Sequence, residues 1–212
     1  SEKEKKEKMT NKSLVKPKPA SSLIMTRIRN NKIQVLMGQR PSTSKFAPNV
    51  WVFPGGKLEK SDIYNSHLNI SKKTIHDLEL LKTNKKNGYG LINAAIRETK
   101  EETGLKLLNY NLEDLWVLAR AITPSYQKLR FDTKFFVTSY NNFSNNIKGN
   151  GELHNLQFSY LEKALKLPLF DITEFLLEEL LRKYNEEVSQ EFFPLFWRYN
   201  KNTRIISRPN NT

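Results

Sequence analysis

The chain has 212 residues, a formal net charge of +13 and no cysteine. This length suits one domain of ordinary size with tails or an insertion, and the missing cysteines exclude disulfide frameworks, thiolate nucleophiles and cysteine metal sites. No stretch approaches the roughly 18 consecutive apolar residues of a membrane-spanning helix, so a soluble, cytoplasmic protein is expected. The positive charge suits either nucleic acid or a small phosphate-bearing substrate.

Residues 1–20, with seven lysines and three glutamates, read as a disordered basic tail. Residues 22–27 and 32–38 read as two strands, with Asn30-Asn31 as the hairpin turn. A loop from Gln39 to Asn49 leads to the extended Val50-Trp51-Val52-Phe53 and then Pro54-Gly55-Gly56, where the backbone can approach a metal or phosphate closely. Residues 63–90 carry mostly polar residues and are expected to hold one short helix with outward-facing charges, and His67 and His76 read as surface residues. Next comes an acidic helix. Glu98, Glu101 and Glu102 stand at i, i+3 and i+4, so three carboxylates project from one face. Their repulsion costs roughly 0.2 to 0.5 kcal/mol per pair, and a hard divalent cation such as Mg²⁺ or Mn²⁺ would remove it.

Residues 114–123 and 130–140 read as strands rich in aromatic and β-branched residues. A polar loop from Asn141 to Gly151 precedes Glu152 and a strand around 156–160. Residues 161–167 suggest a short helix ended by Pro168, and Asp171 with Glu174 reads as an N-cap acid and its box partner opening an amphipathic helix. Residues 186–212 read as a C-terminal extension of strand-like character, packing on the domain or on a partner subunit.

Arg97-Glu98-Thr99-Lys100-Glu101-Glu102-Thr103-Gly104-Leu105, with Gly56 upstream, resembles the Nudix box, G-x5-E-x7-R-E-U-x-E-E-x-G-U with U a bulky apolar residue. Counting from Gly56, the first glutamate of the motif falls on Asp62, Thr99 takes an apolar position, and about 27 extra residues precede Arg97. Such an interrupted box resembles the subgroup that includes the peroxisomal coenzyme A diphosphatases and bacterial relatives. Their additional loop pattern ends in the same Phe-Pro-Gly-Gly and places Arg40 and Lys45 on its two arginines.

The resemblance implies an α/β fold: the Nudix α/β/α sandwich with a mixed sheet, here over residues 21–185, with an insertion inside the box at about 63–90. It implies a metal site of Glu98, Glu101, Glu102 and the Gly55 carbonyl, holding Mg²⁺ or Mn²⁺. Arg97, Glu101 and Glu152 are expected to be catalytic, with Arg97 orienting the glutamates, Asp62 supporting them, and Asp62 or Glu152 positioning them or accepting a proton. Arg40, Lys45, Gly56 and Arg130 are expected to bind substrate. The implied partner is a nucleotide: coenzyme A or acyl-coenzyme A, with ADP-ribose, NADH or an RNA 5′ end as alternatives. A homodimer is compatible, and no membrane partner is expected.

Overall fold

A computed structural model describes residues 15–64, 67–144, 146–185, 194–200 and 202–209. Of the basic tail, residues 1–14 lie outside these. Strand β1 (Lys18–Arg29) starts within the stretch read as tail, and Ala20 is buried there, because Lys18 to Ser22 pair with the distant strand β8 (Phe131–Ser139).

The chain then runs β2 (Lys32–Gln39), β3 (Trp51–Val52), β4 (Gly55–Lys57), α1 (Lys60–Ile63), β5 (Asn69–Ile70), α2 (Lys72–Leu80), α3 (Lys85–Thr103), β6 (Asn111–Leu112) and β7 (Trp116–Ile122). After β8 come β9 (His154–Tyr160), α4 (Leu161–Ala164), α5 (Asp171–Asn185), β10 (Leu195–Asn200) and β11 (Thr203–Ser207). Asn30 and Asn31, at φ 52° and 55°, make the tight turn between β1 and β2.

One mixed sheet organises the molecule, in the order β11-β10-β7-β8-β1-β2-β3, with β4 on β1 and β9 on β2. The β1–β8 and β7–β10 pairs are parallel. Strand β1 changes antiparallel partners midway: Ala20 to Ser22 pair with β4, whereas Thr26 to Arg29 pair with β2.

Both faces of the sheet are buried, so its central strands are apolar on successive residues rather than on alternate ones. Ile24, Val35, Met37, Leu118 and Val137 face Leu176, Leu177 and Leu180 of α5. Leu23, Met25, Leu36, Val117 and Phe136 face Leu91, Ile92 and Ala95 of α3. The result is the expected three-layer α/β/α arrangement.

The insertion is more ordered than expected. It contributes β5, α2 and the first turns of α3, and it buries Leu68, Ile70, Leu78 and Leu81 in the same core as α3. Ser71 caps α2 by accepting from the Thr74 N–H. Asp77, expected to face outward, is buried and paired with Lys73 at 2.8 Å. Asp171 is the first helical residue of α5 rather than its cap, since the Glu174 N–H already donates to the Phe170 carbonyl at 3.0 Å. The C-terminal extension lies on the sheet, with Leu195 to Trp197 alongside Ala119 to Ala121. Among the described residues no helix is long and apolar enough to cross a membrane.

Candidate active site

Helix α3 places the acidic cluster. Its N-cap is Asn84, which accepts from the Asn87 N–H at 2.9 Å, and its buried face docks on the sheet. It ends at Gly104, whose φ of 75° suits glycine and whose N–H donates to the Lys100 carbonyl at 2.9 Å. A Cβ there would also press on the Lys148 carbonyl.

Arg97 ties the helix to the loop that precedes it. Nε and Nη2 donate to the two Asp62 oxygens at 3.0 and 3.1 Å, and Nη2 also donates to the Lys57 carbonyl at 3.0 Å. Nη1 donates to Glu98 at 2.9 Å and to Glu101 at 3.4 Å. Asp62 is itself fixed, its Oδ2 accepting from the Glu59 N–H at 2.8 Å. The Asp62 hydrogen bond is the largest influence holding the Arg97 guanidinium above its ordinary range.

The remaining acids meet the glycine loop. Glu102 is 8% exposed, and its Oε2 accepts from the Gly55 N–H at 3.0 Å. Burial pushes its carboxyl up to about 8; the Gly55 hydrogen bond opposes this, and the charges of Glu98, Glu152 and Glu101 add to it. Burial raises Glu98 as well, against the pull of Arg97 and with the push of Glu101 and Glu152. Gly56 lies so close that a Cβ on it would run into the Glu98 carboxylate. This close approach explains the glycine.

A cleft of about 580 Å³ opens beside these groups. Glu98, Glu102, Glu152, Gly55, Gly56 and Arg40 line it. Glu152 accepts from the Asn150 side chain at 2.9 Å, in a turn that also binds its own N–H. Arg40 donates from Nε to the Phe46 carbonyl at 3.1 Å, which steadies the loop between β2 and β3.

Two of the residues expected to bind substrate stand apart from the walls of this cleft. Lys45 is exposed on the same loop but does not line the cleft. Arg130 is also absent from the lining: its guanidinium donates to the Thr123 carbonyl at 3.1 Å and the Val15 carbonyl at 2.7 Å, so it ties the start of central strand β8 to the chain beside its neighbours β7 and β1. Its neighbour Asp132 forms a cross-strand cluster with Arg120 at 2.7 Å and Lys134 at 3.0 Å. The aromatic walls of the cleft, Phe46, Phe131, Phe135 and Phe170, were not anticipated from the sequence. An exposed phenylalanine in the otherwise polar loop at position 46 was the available signal.

Among the described residues no three acidic or histidine side chains form a ready cage for a metal. Glu98 and Glu101 are instead drawn to the Arg97 Nη1. The chemistry of the donor set nevertheless fits a hard divalent cation: the donors are carboxylate oxygens, and two of them bear a raised affinity for protons that a cation would relieve.

Comparison with known proteins bears on the family and the fold. The model of the NUDIX domain family matches residues 18–196. A NUDIX hydrolase from Alicyclobacillus acidocaldarius superposes with a TM-score of 0.63 at 22% identity, covering 82% of this chain and 96% of that one. The NUDIX domain of Shewanella oneidensis NrtR, complexed with ADP ribose, gives 0.54 at 15% identity over 84% of this chain and 97% of that one. A C. elegans Ap4A hydrolase gives 0.51 at 19% identity, over 78% of this chain and 96% of that one. At these identities the likeness bears on the fold. A search of curated proteins found no significant match. With a family match spanning most of its length, the chain belongs to the Nudix family of hydrolases acting on acid anhydrides in phosphorus-containing compounds.

Proposed function

We propose that the protein is a metal-dependent diphosphatase that cleaves the diphosphate linkage of a nucleoside diphosphate derivative, with coenzyme A or an acyl-coenzyme A as the leading substrate. The observation that carries this reading is the cleft itself, where the α3 carboxylates, the glycine loop, Glu152 and Arg40 share walls with aromatic side chains. The interrupted box and the Phe-Pro-Gly-Gly ending of the loop support the coenzyme A choice. The Nudix domain crystallised with ADP ribose supports ADP-ribose or NADH as the second reading.

Glu98, Glu101, Glu102 and the Gly55 carbonyl would hold Mg²⁺ or Mn²⁺. When bound, the cation neutralises diphosphate oxygens and makes a water molecule more acidic. Arg97 fixes the carboxylate rotamers through Glu98 and Glu101, and is fixed in turn by Asp62. Glu152, held by the Asn150 turn, stands at the cleft as a proton acceptor. Arg40, also in the cleft wall, supplies positive charge for a substrate phosphate.

The test is metal-dependent turnover of coenzyme A, acetyl-coenzyme A, ADP-ribose, NADH and a 5′-triphosphorylated RNA, with Glu102→Gln as the blank. Preferred cleavage of coenzyme A supports the leading substrate. Preference for another compound replaces it, and no metal-dependent cleavage of any compound overturns the proposal.

A further inference from the structure

A second cavity, of about 330 Å³, adjoins the carboxylate cleft. Phe46, Leu129, Phe131, Phe135, Phe170 and Ile172 face both spaces, so the two form one continuous groove. Its far end is closed by Tyr126 on the β7–β8 connection and by Trp197 and Tyr199 of β10, a strand supplied by the C-terminal extension.

The walls are aromatic. Phe46 and Phe170 stack with ring centroids 5.8 Å apart and planes 19° from parallel. Phe46, Tyr126 and Leu129 are 50%, 63% and 48% exposed, an unusual amount of apolar surface to leave in water around one opening. The polar side chains among the walls include Thr123, Thr133 and a hydrogen-bonded pair, Asp171 and Tyr199. Asp171 accepts from the Tyr199 hydroxyl at 2.9 Å and from the Ile172 N–H at 2.8 Å, and Gln127 shares the lining.

Flat aromatic walls favour a π-system over a flexible chain. Each Asp171 oxygen retains a lone pair beyond its present hydrogen bond, so the carboxylate accepts a further donor but repels a carbonyl. We propose that this pocket binds the purine base of the substrate and selects a base bearing an exocyclic amine, with Asp171 accepting from that amine and Tyr126 covering the ring. This assignment rests on the proposed diphosphatase reading and specifies which end of the substrate enters which part of the groove. It also gives the C-terminal strand a part in specificity.

The experiment compares ADP-ribose with its hypoxanthine counterpart, in which the amine is replaced by a carbonyl. The wild-type chain is expected to favour the adenine compound in kcat/KM by fivefold or more. Tyr126→Ala, at an exposed position, is expected to raise the KM for ADP-ribose at least fivefold with kcat within twofold. Asp171→Asn, which offers the base an N–H donor, is expected to bring the two compounds within twofold of each other. Equal use of both compounds by the wild type, or an unchanged KM in Tyr126→Ala, overturns the proposal. If neither compound is cleaved, the diphosphatase reading is decided by coenzyme A and the other compounds of the panel above. The pocket is then judged by tryptophan fluorescence: quenching by AMP but not IMP, lost in Tyr126→Ala, supports it, and equal responses overturn it.

Discussion

Arg97 and Asp62 stand 35 residues apart in the chain and meet as a two-pronged ion pair, with Nε and Nη2 on the two carboxylate oxygens at 3.0 and 3.1 Å. Everything inserted between the glycine loop and the acidic helix is bridged by this contact. Asp62→Ala would leave the partly buried guanidinium without its main partner and free to pull on Glu98. We expect a loss of about 1 to 3 kcal/mol in denaturant unfolding and at least a tenfold fall in kcat. An unfolding midpoint and a kcat both equal to wild type would show that the pair does not position the helix.

Glu102→Gln keeps an oxygen that can accept from the Gly55 N–H, so the fold should survive while the cation loses a charged ligand. Turnover should fall by a factor of about 100 or more, as expected when charge at the reacting centre is removed, with an unchanged circular dichroism spectrum. Glu101→Gln, at a half-exposed site, should behave alike. Near wild-type turnover in both variants would remove these residues from the metal site.

Gly56→Ala tests the close approach directly. The added methyl would meet the Glu98 carboxylate, and relieving the clash means displacing a proposed metal ligand. A cost of about 1 to 3 kcal/mol is expected, together with a raised Mg²⁺ requirement in activity titrations. An unaltered requirement would place Glu98 outside the cation's coordination.

Cation binding should register as stability even without substrate. Mg²⁺ at about 100 times its dissociation constant should add about 2.7 kcal/mol, seen as an upward shift in Tm. The shift should vanish in a Glu98→Gln, Glu102→Gln double variant, and its persistence there would locate the cation elsewhere.

Asp132 sets an acid limit on stability. Burial alone would raise its pKa, but the Arg120 hydrogen bonds and the Lys134 charge outweigh it and leave the group below the 3.8 of an unperturbed aspartate. A depressed carboxylate stabilises the fold above its unfolded-state pKa, and that stability is lost as pH falls through the lower folded value. Wild type should therefore lose stability on acidification below about pH 3.8 more steeply than Asp132→Asn. Parallel acid limbs in urea unfolding would show that the cluster makes no such contribution.

The parts of the molecule set by local rules could be read directly. Asn30-Asn31 announces a tight turn, and the spacing of Glu98, Glu101 and Glu102 places them together on a helix whatever surrounds it. Asp62 was legible as a supporting acid only through the resemblance, because its partner is remote in sequence. In the insertion the spacing of Ile75, Leu78 and Leu81 announces the one short helix, whereas Leu68 and Ile70 lie outside that period and reach the core through tertiary packing. Where Arg130 and Lys45 come to lie was not legible for a related reason. A basic residue near a strand end carries no mark of which carbonyl or cleft it will meet, and that is decided by sheet register. The aromatic pocket is built from four separate chain segments, and no window of sequence contains it.

Parallel pairing of β1 with β8 has a consequence for how the protein is made. Thr26 Oγ1 bonds to the Thr138 carbonyl across 112 residues, and β10 can join β7 only after Leu195 to Trp197 have been made. Local helices and the first hairpin can form as they leave the ribosome, but the central strand waits for a neighbour that is synthesised much later. A topology so rich in distant contacts folds slowly, and until β8 arrives β1 has an open edge for other chains to pair with.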